Sequence, residues 1–489
     1  MWGFSSRTSR KFMLFNSISF AIFLPIVFFL YWFVFRNKFR LQNIMLLAAS
    51  FFFYACWDWR FLFLLMFSIV LDYVSGLKIE KSSTKSSAKF WLTLSIGINL
   101  GFLGFFKYYN FFAESFAELL AGFGFKVSVW TLQIILPVGI SFYTFHGLSY
   151  IIDVYKKRIA AEKSFFEYAL FVSYFPLLVA GPIERATHLL PQVKTPRFFK
   201  YEDAADGMRQ ILWGLFKKMV IADNCAPIVN EIFSNYEHEP ASRLVMGAVL
   251  FAFQIYGDFS GYSDIALGTS RLFGIRLLRN FAYPYFSRDI AEFWRRWHIS
   301  LSSWFRDYLY IPLGGSKGGM WMKIRNTFII FLVSGFWHGA NWTFIVWGGL
   351  NALFFLPLLI REKNRHHLET VAMGKLIPTF RDAFSILLTF ALTCFAWIFF
   401  RAENMTSALA YIRNIFSESL FTIPKSLPFK EFFLIGVMLI LEWFNRTQEH
   451  GLEVERYHVW LRRFIYAAVI YLIIRYANFG SNEFIYFQF

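Results

Sequence analysis

Charge is what this sequence has least of. Only 17% of its 489 residues are Asp, Glu, Lys or Arg, against about a quarter in soluble domains, while 57% are hydrophobic and the mean hydropathy is +0.45. That shortage excludes an ordinary soluble globular protein and assigns the chain to a bilayer. Cysteine is scarce too: Cys56, Cys225 and Cys394 stand far apart, which excludes a disulfide framework and a zinc-ligand spacing, so no metal site is expected. Acidic residues number 32 against 49 basic ones, a net charge of +17. The basic residues cluster between apolar runs, so this excess reads as a topology signal and no nucleic-acid partner is expected. Also missing are a cleavable signal peptide, a 20–50-residue repeat and the inverted pair of broken helices of a transporter.

What is present is a series of apolar runs long enough to span a membrane, interspersed with 66 Phe, 24 Tyr and 17 Trp suited to lipid-facing surface and interfacial belts. Spans are expected near 14–35, 41–57, 61–77, 90–106, 131–151, 208–234, 243–270, 327–341, 343–360, 383–400, 430–446 and 463–478. The fold class is therefore an all-α polytopic membrane protein with about 11–12 transmembrane helices. The basic clusters, among them Arg36/Lys38/Arg40, Lys156/Lys157/Arg158 and Arg361 to His367, fall on one side if the N-terminus is outside. The positive-inside rule then puts both termini outside the cytoplasm. Residues 1–12 are polar and basic, with Met13 an alternative start. Two stretches, 164–206 and 280–325, mix Pro, Gly and charge with aromatics; they are expected to be re-entrant or cytoplasm-facing elements lining a cavity.

Ionisable groups within apolar runs are functional candidates by default. His338, in Ser334-Gly335-Phe336-Trp337-His338-Gly339-Ala340-Asn341-Trp342, is either a histidine with its hydrogen bonds satisfied between helices or a general base. Its pKa range suits removing a proton from a hydroxyl attacking an acyl carbonyl, with Trp337 walling the imidazole and Asn341 nearby. His298 lies in Glu292-Phe293-Trp294-Arg295-Arg296-Trp297-His298-Ile299-Ser300-Leu301. A continuous helix here would put Trp294, Trp297, His298 and Leu301 on one face. Arg295, Arg296 and Arg306 suit the phosphates of a nucleotide carrier such as coenzyme A, or else belong to a basic interfacial helix touching lipid headgroups. Asp258 and Asp264 sit six residues apart in an apolar span and are expected to salt-bridge to the arginine-rich segment or to relay protons. The glycines of 314–319 lack the spacing of a phosphate loop and read as a turn. The aromatic tail Glu483 to Phe489 is either an interfacial anchor or a plug that presents the Tyr486 phenol, and phenols can carry acyl groups.

The long run from Tyr283-Pro284-Tyr285 through Phe293-Trp294-Arg295-Arg296-Trp297-His298-Ile299-Ser300-Leu301-Ser302 to Arg306-Asp307-Tyr308-Leu309-Tyr310-Ile311-Pro312-Leu313-Gly314-Gly315, with Gln254 to Ser270 and Trp337-His338-Gly339, resembles the membrane-bound O-acyltransferase (MBOAT) family, most closely its bacterial alginate O-acetyltransferase branch. The resemblance implies one membrane domain over 13–480, with helices around a central tunnel, and an extracytoplasmic Phe-x-Tyr-Phe-type motif at 481–489. It further implies that His338 is the catalytic histidine, that His298 is the second histidine on the cytoplasmic side, and that Tyr486 is an acyl-accepting tyrosine. The expected activity is movement of acetyl from acetyl-CoA across the bacterial inner membrane to an extracytoplasmic SGNH-type partner and then a polysaccharide. D-alanyl transfer from a carrier protein to teichoic acid, and a transporter, remain alternatives; the sequence does not name the polymer.

Overall fold

A computed structural model describes residues 13–125, 131–132, 135–179, 181–424, 426–477 and 484–485. Among these the regular structure is helical throughout: α1 Ile18–Phe29, α2 Phe39–Lys81, α3 Lys85–Leu103, α4 Tyr109–Gly122, α5 Ile140–Tyr155, α6 Phe165–Ser173, α7 Phe175–Leu178, α8 Ala186–Val193, α9 Tyr201–Leu215, α10 Asp223–Ser234, α11 Ala241–Leu272, α12 Ile290–Arg296, α13 Ile299–Phe305, α14 Gly319–His338, α15 Trp342–Ile360, α16 Phe380–Arg401, α17 Met405–Ile415, α18 Phe429–Phe444 and α19 Val459–Tyr476, with short 3₁₀ and π turns between them.

Five helical segments are both long and apolar enough to cross a bilayer: Phe39–Lys81, Lys85–Gly122, Ala241–Leu272, Trp342–Ile360 and Phe380–Arg401. They contain six of the twelve expected spans. The expected boundary between 41–57 and 61–77 falls where α2 breaks, at the extended Asp58 (φ −156°, ψ 110°). Asp58 is buried and accepts from Arg60 Nε at 2.9 Å, so a charged pair interrupts an otherwise 43-residue helix. The other six spans coincide at least in part with helices that fall short in length or in apolar character, some of them widened by π turns, as at Leu30–Val34 and Phe216–Ala222. The two stretches expected to be re-entrant contain short helices, α6–α8 and α12–α13, with mostly buried side chains.

The chain divides into two compact units. One takes in the described residues of Met1–Phe106, Gln133–Ala204 and Thr269–Leu277. Within it a buried polar ladder joins α2 to α3: Ser95 Oγ and Asn99 Nδ2 donate to Asp72 Oδ1 at 2.5 and 2.8 Å, and Ser68 Oγ donates to Asn99 Oδ1 at 2.6 Å. Apolar contact alone gives lipid-exposed helices little reason to associate; short side chains hydrogen-bonding across the interface do.

The other unit takes in Lys107–Leu132, Ala205–Gly268 and Leu278–Phe489. Glycine sets two close helix contacts in it. Against α11, a Cβ on Gly261 would lie 2.8 Å from the Gly214 carbonyl oxygen. In the α14–α15 hairpin, a Cβ on Gly335 would lie 2.2 Å from the Phe344 carbonyl oxygen and one on Gly348 2.3 Å from that of Phe331. Because backbone opposes backbone, no side-chain rotation relieves a substitution there. Gly335→Val is expected to destabilise this hairpin by about 1–3 kcal/mol, read as a lower thermal midpoint of the purified protein in detergent, whereas Gly436→Ala, inside α18 where a Cβ meets nothing within 4 Å, is expected not to lower the midpoint.

Candidate functional site

Both candidate histidines lie in the second unit, fully enclosed: His298 is 1% and His338 3% exposed, with ring centroids 6.4 Å apart. His338 is the last residue of α14. Gly339 is extended and stops the helix, and Asn341 caps α15, accepting the Thr343 N–H at 3.0 Å and donating to the Glu403 carbonyl at 2.7 Å. Asn341 therefore fixes the turn beyond the histidine through its cap and its bond to 403. The His338 ring stands among Trp337 (4.8 Å), Trp347 (5.1 Å) and Phe400 (5.4 Å). Lys107, a residue the sequence reading passed over, donates to the carbonyls of Trp337 at 2.6 Å and His338 at 3.1 Å, so a cation clamps the end of α14.

The continuous helix expected through Trp294–Leu301 is corrected by the structure. The helix ends at Arg296, and His298 adopts a left-handed backbone (φ 45°, ψ 53°) before α13 begins. The cause is Asn280: its carbonyl accepts the Ile299 N–H at 2.9 Å, and its side-chain oxygen accepts from Ser300 Oγ at 3.0 Å and lies 3.0 Å from His298 Nδ1. The Ser300 backbone N–H, which can only donate, also faces that oxygen at 3.4 Å, which identifies it as the acceptor. Nδ1 of a neutral His298 accordingly carries the hydrogen and Nε2 carries the lone pair. Nε2 is buried with no hydrogen-bond partner among the described residues. Trp297, 1% exposed, packs with Phe281 (5.0 Å) and Trp397 (5.1 Å), and Trp397 stacks on Trp347 at 5.6 Å, so aromatic rings link the surroundings of the two imidazoles.

The pairing expected for Asp258 and Asp264 is also corrected. Their cationic partners are lysines, not the arginine-rich segment: Lys218 Nζ lies 2.6 Å from Asp258 and 2.8 Å from Asp223, and Lys217 Nζ lies 2.6 Å from Asp264 and donates to Ser260 Oγ at 2.8 Å. Both lysines sit in the π turn Phe216–Ala222 and are nearly inaccessible. The rule that flagged the aspartates, an ionisable group inside an apolar run, applied to these lysines as well.

The second oxygen of Asp258 accepts the backbone N–H of Ile485 at 2.7 Å. Phe484, fully buried, packs on Tyr262 (4.5 Å) and Phe259 (5.9 Å), and Phe259 meets the His298 ring edge-on at 4.6 Å. Residues 484 and 485 of the tail thus lie in the interior beside the ring that touches His298. Tyr486 lies outside the described residues.

The three arginines separate. Arg295 donates to the carbonyls of Asn364 and His367, both at 2.7 Å, and Arg296 pairs with Glu292 at 2.9 Å, so these two fasten the loop after α15 and the buried acid of α12. Arg306 pairs with the adjacent Asp307, is more than half exposed, and lines a cavity of about 200 Å³ with Ser302, Tyr310, Asn364 and Arg365.

The sequence profile of the membrane-bound O-acyltransferase family matches residues 155–400, a range that includes both histidines. The chain is similar to the probable alginate O-acetylase AlgI of Azotobacter vinelandii, 40% identical over 83% of this chain and 78% of that protein. It is also similar to the peptidoglycan O-acetyltransferase of Helicobacter pylori, 37% identical over 82% and 80%. The teichoic acid D-alanyltransferase of Bacillus subtilis is more distant, 27% identical over 54% of this chain and 69% of that protein.

With Cys56 replaced by serine, Ile485→Cys is expected to react slowly with a maleimide. Adding Asp258→Ala, which removes the acceptor of the 485 amide, is expected to raise that rate about tenfold, the loss of one charge-assisted hydrogen bond; mass spectrometry of the labelled C-terminal peptide reads it directly.

Proposed function

The chain belongs to the membrane-bound O-acyltransferase family and is a multi-pass membrane O-acyltransferase, and from that premise we propose that it O-acetylates an envelope polysaccharide, drawing acetyl from cytoplasmic acetyl-CoA through an ester on Tyr486. The observation that carries this reading is the buried Ile485 amide on Asp258, because the residue that follows it in the chain is the proposed carrier. The names of the relatives, an alginate O-acetylase and a peptidoglycan O-acetyltransferase, support a polysaccharide as final acceptor.

In the proposed reaction the Tyr486 phenol oxygen attacks the thioester carbonyl, a C–O bond forms and the C–S bond breaks. His338 takes the phenolic proton and returns it to the departing coenzyme A sulfur. His298, with its lone pair on Nε2, is a second proton acceptor beside the reacting centre, and Asn280 holds it in that tautomer. The cavity at Arg306 and Arg365 offers exposed cationic surface for a donor phosphate, whereas Arg295 and Arg296 are engaged by protein groups. In the bacterial inner membrane with both termini extracytoplasmic, as the basic clusters suggest, the acetyl group emerges as an aryl ester, ready for a serine of an SGNH-type partner and then a sugar hydroxyl.

Purified protein given acetyl-CoA labelled in the acetyl group is expected to carry label on Tyr486, and Tyr486→Phe and His338→Ala to carry none while remaining folded. Acetyl-CoA binding without label in the wild type would mean direct transfer to a partner. No binding at all would transfer support to the D-alanyl reading. Asn280→Ala, which frees the His298 ring to change tautomer, is expected to lower kcat about a hundredfold with little change in KM for acetyl-CoA, measured by release of free coenzyme A.

A further inference from the structure

The first unit contains a buried cation that no acid among the described residues neutralises. Arg197 is 9% exposed. One terminal nitrogen donates to the Asn43 side chain, and the guanidinium stands 5.6 Å over the Tyr31 ring. Its Nε and Nη1 have no hydrogen-bond partner, and no carboxylate lies within ion-pairing distance, among the described residues. An uncompensated buried charge of this kind is strongly unfavourable unless an anion meets it.

Arg197 lines a cavity of about 430 Å³ together with Trp32, Phe33, Arg36 and the aromatic pair Phe198 and Phe199. Arg36 is exposed and likewise has no acid partner among the described residues. Phe33 and Phe198 are 66% and 72% exposed, and Trp32 is fixed by donating to the Leu272 carbonyl at 2.8 Å with Phe199 edge-on at 5.6 Å. The cavity lies where α1 and its π turn give way to the basic residues Arg36, Lys38 and Arg40, which is where a span meets headgroups. A floor with one buried arginine, a second arginine at the mouth and a rim of exposed aromatic rings match an amphipathic anion: phosphate for the guanidinium groups, hydrocarbon for the rings.

We propose that this cavity is a binding site for the phosphate headgroup of an anionic phospholipid, held between Arg197 and Arg36 with its chains along Phe33 and Phe198. The requirement for a net anion separates the site from general lipid contact, since a zwitterionic headgroup brings its own cation to the two arginines. The aromatic rim separates it from a site for soluble phosphate.

The test uses the full chain, delipidated in detergent and titrated with phosphatidylglycerol, phosphatidylcholine or inorganic phosphate, with bound lipid counted by native mass spectrometry and stability followed by thermal melting. Wild type is expected to retain one phosphatidylglycerol and to melt higher with it. Arg36→Gln, a surface change that leaves the fold alone, and Arg197→Gln are each expected to weaken that retention about tenfold, whereas Arg463→Gln, at an exposed residue of α19 in the other unit, retains it as wild type does. Equal retention in Arg36→Gln and wild type overturns the proposal, as does equal retention of phosphatidylcholine. Stabilisation by inorganic phosphate as large as that by phosphatidylglycerol also overturns it, because the anion is then a soluble one.

Discussion

Two consecutive lysines in one wide helical turn, Lys217 and Lys218, organise the unit that holds both histidines. Each is buried beyond the reach of water, so each needs an acid or the region does not fold. Lys218 is met by Asp223 and Asp258, and Lys217 by Asp264. Those contacts hold the π turn and α10 against α11, and glycines at 214 and 261 let the backbones close to the distance a short ion pair demands. Asp258 then has one oxygen left, and it receives the Ile485 amide. The seat of the tail is thus set by a lysine more than 260 positions earlier in the chain.

The aromatic wall follows from the same economy of charge. With Lys217 and Lys218 committed to carboxylates, the imidazoles are lined by rings: Trp337, Trp347 and Phe400 around His338, and Phe259 and Phe281 beside His298. Such walls exclude water, and a neutral imidazole is the form that can take a proton from a hydroxyl. What orients the rings is polar but local: the Asn280 side chain at His298, and Lys107 on the two carbonyls that end α14 at His338.

Much of this was legible in the sequence, unevenly and for physical reasons. Apolar runs located the helices, since burial in lipid demands them wherever they occur, and even the break at Asp58 fell between two expected spans. His338 stood out, with Trp337 and Asn341 beside it, because an ionisable group inside an apolar run is a functional candidate by default. The left-handed backbone at His298 did not, because an i, i+4 reading assumes an unbroken helix and cannot see Asn280, 18 residues before the histidine, taking the Ile299 amide on its backbone carbonyl and the Ser300 amide on its side chain. The arginines were legible only as a cluster. Clustering shows where cations are, but only the fold shows that 295 and 296 are occupied by the carbonyls of 364 and 367 and by Glu292, leaving Arg306 at a cavity. Lys217 and Lys218 were passed over while the aspartates they pair with were flagged, although the intramembrane-charge rule treats both signs alike.

The proposed relay through a phenol makes particular demands. Coenzyme A is too large and too charged to cross a bilayer, so an enzyme that uses a cytoplasmic donor for an outside acceptor gains by moving only the acyl group. A phenol, with a pKa near 10, leaves more readily than an aliphatic alcohol, so an aryl ester retains enough reactivity to acylate a serine outside without a second activation step. The carrier must then be held firmly in one dry place yet stay accessible from the far side. Holding the Ile485 amide on a lysine-paired carboxylate and the Phe484 ring in the interior meets the first demand of the proposed relay, because both anchors lie immediately before the proposed carrier.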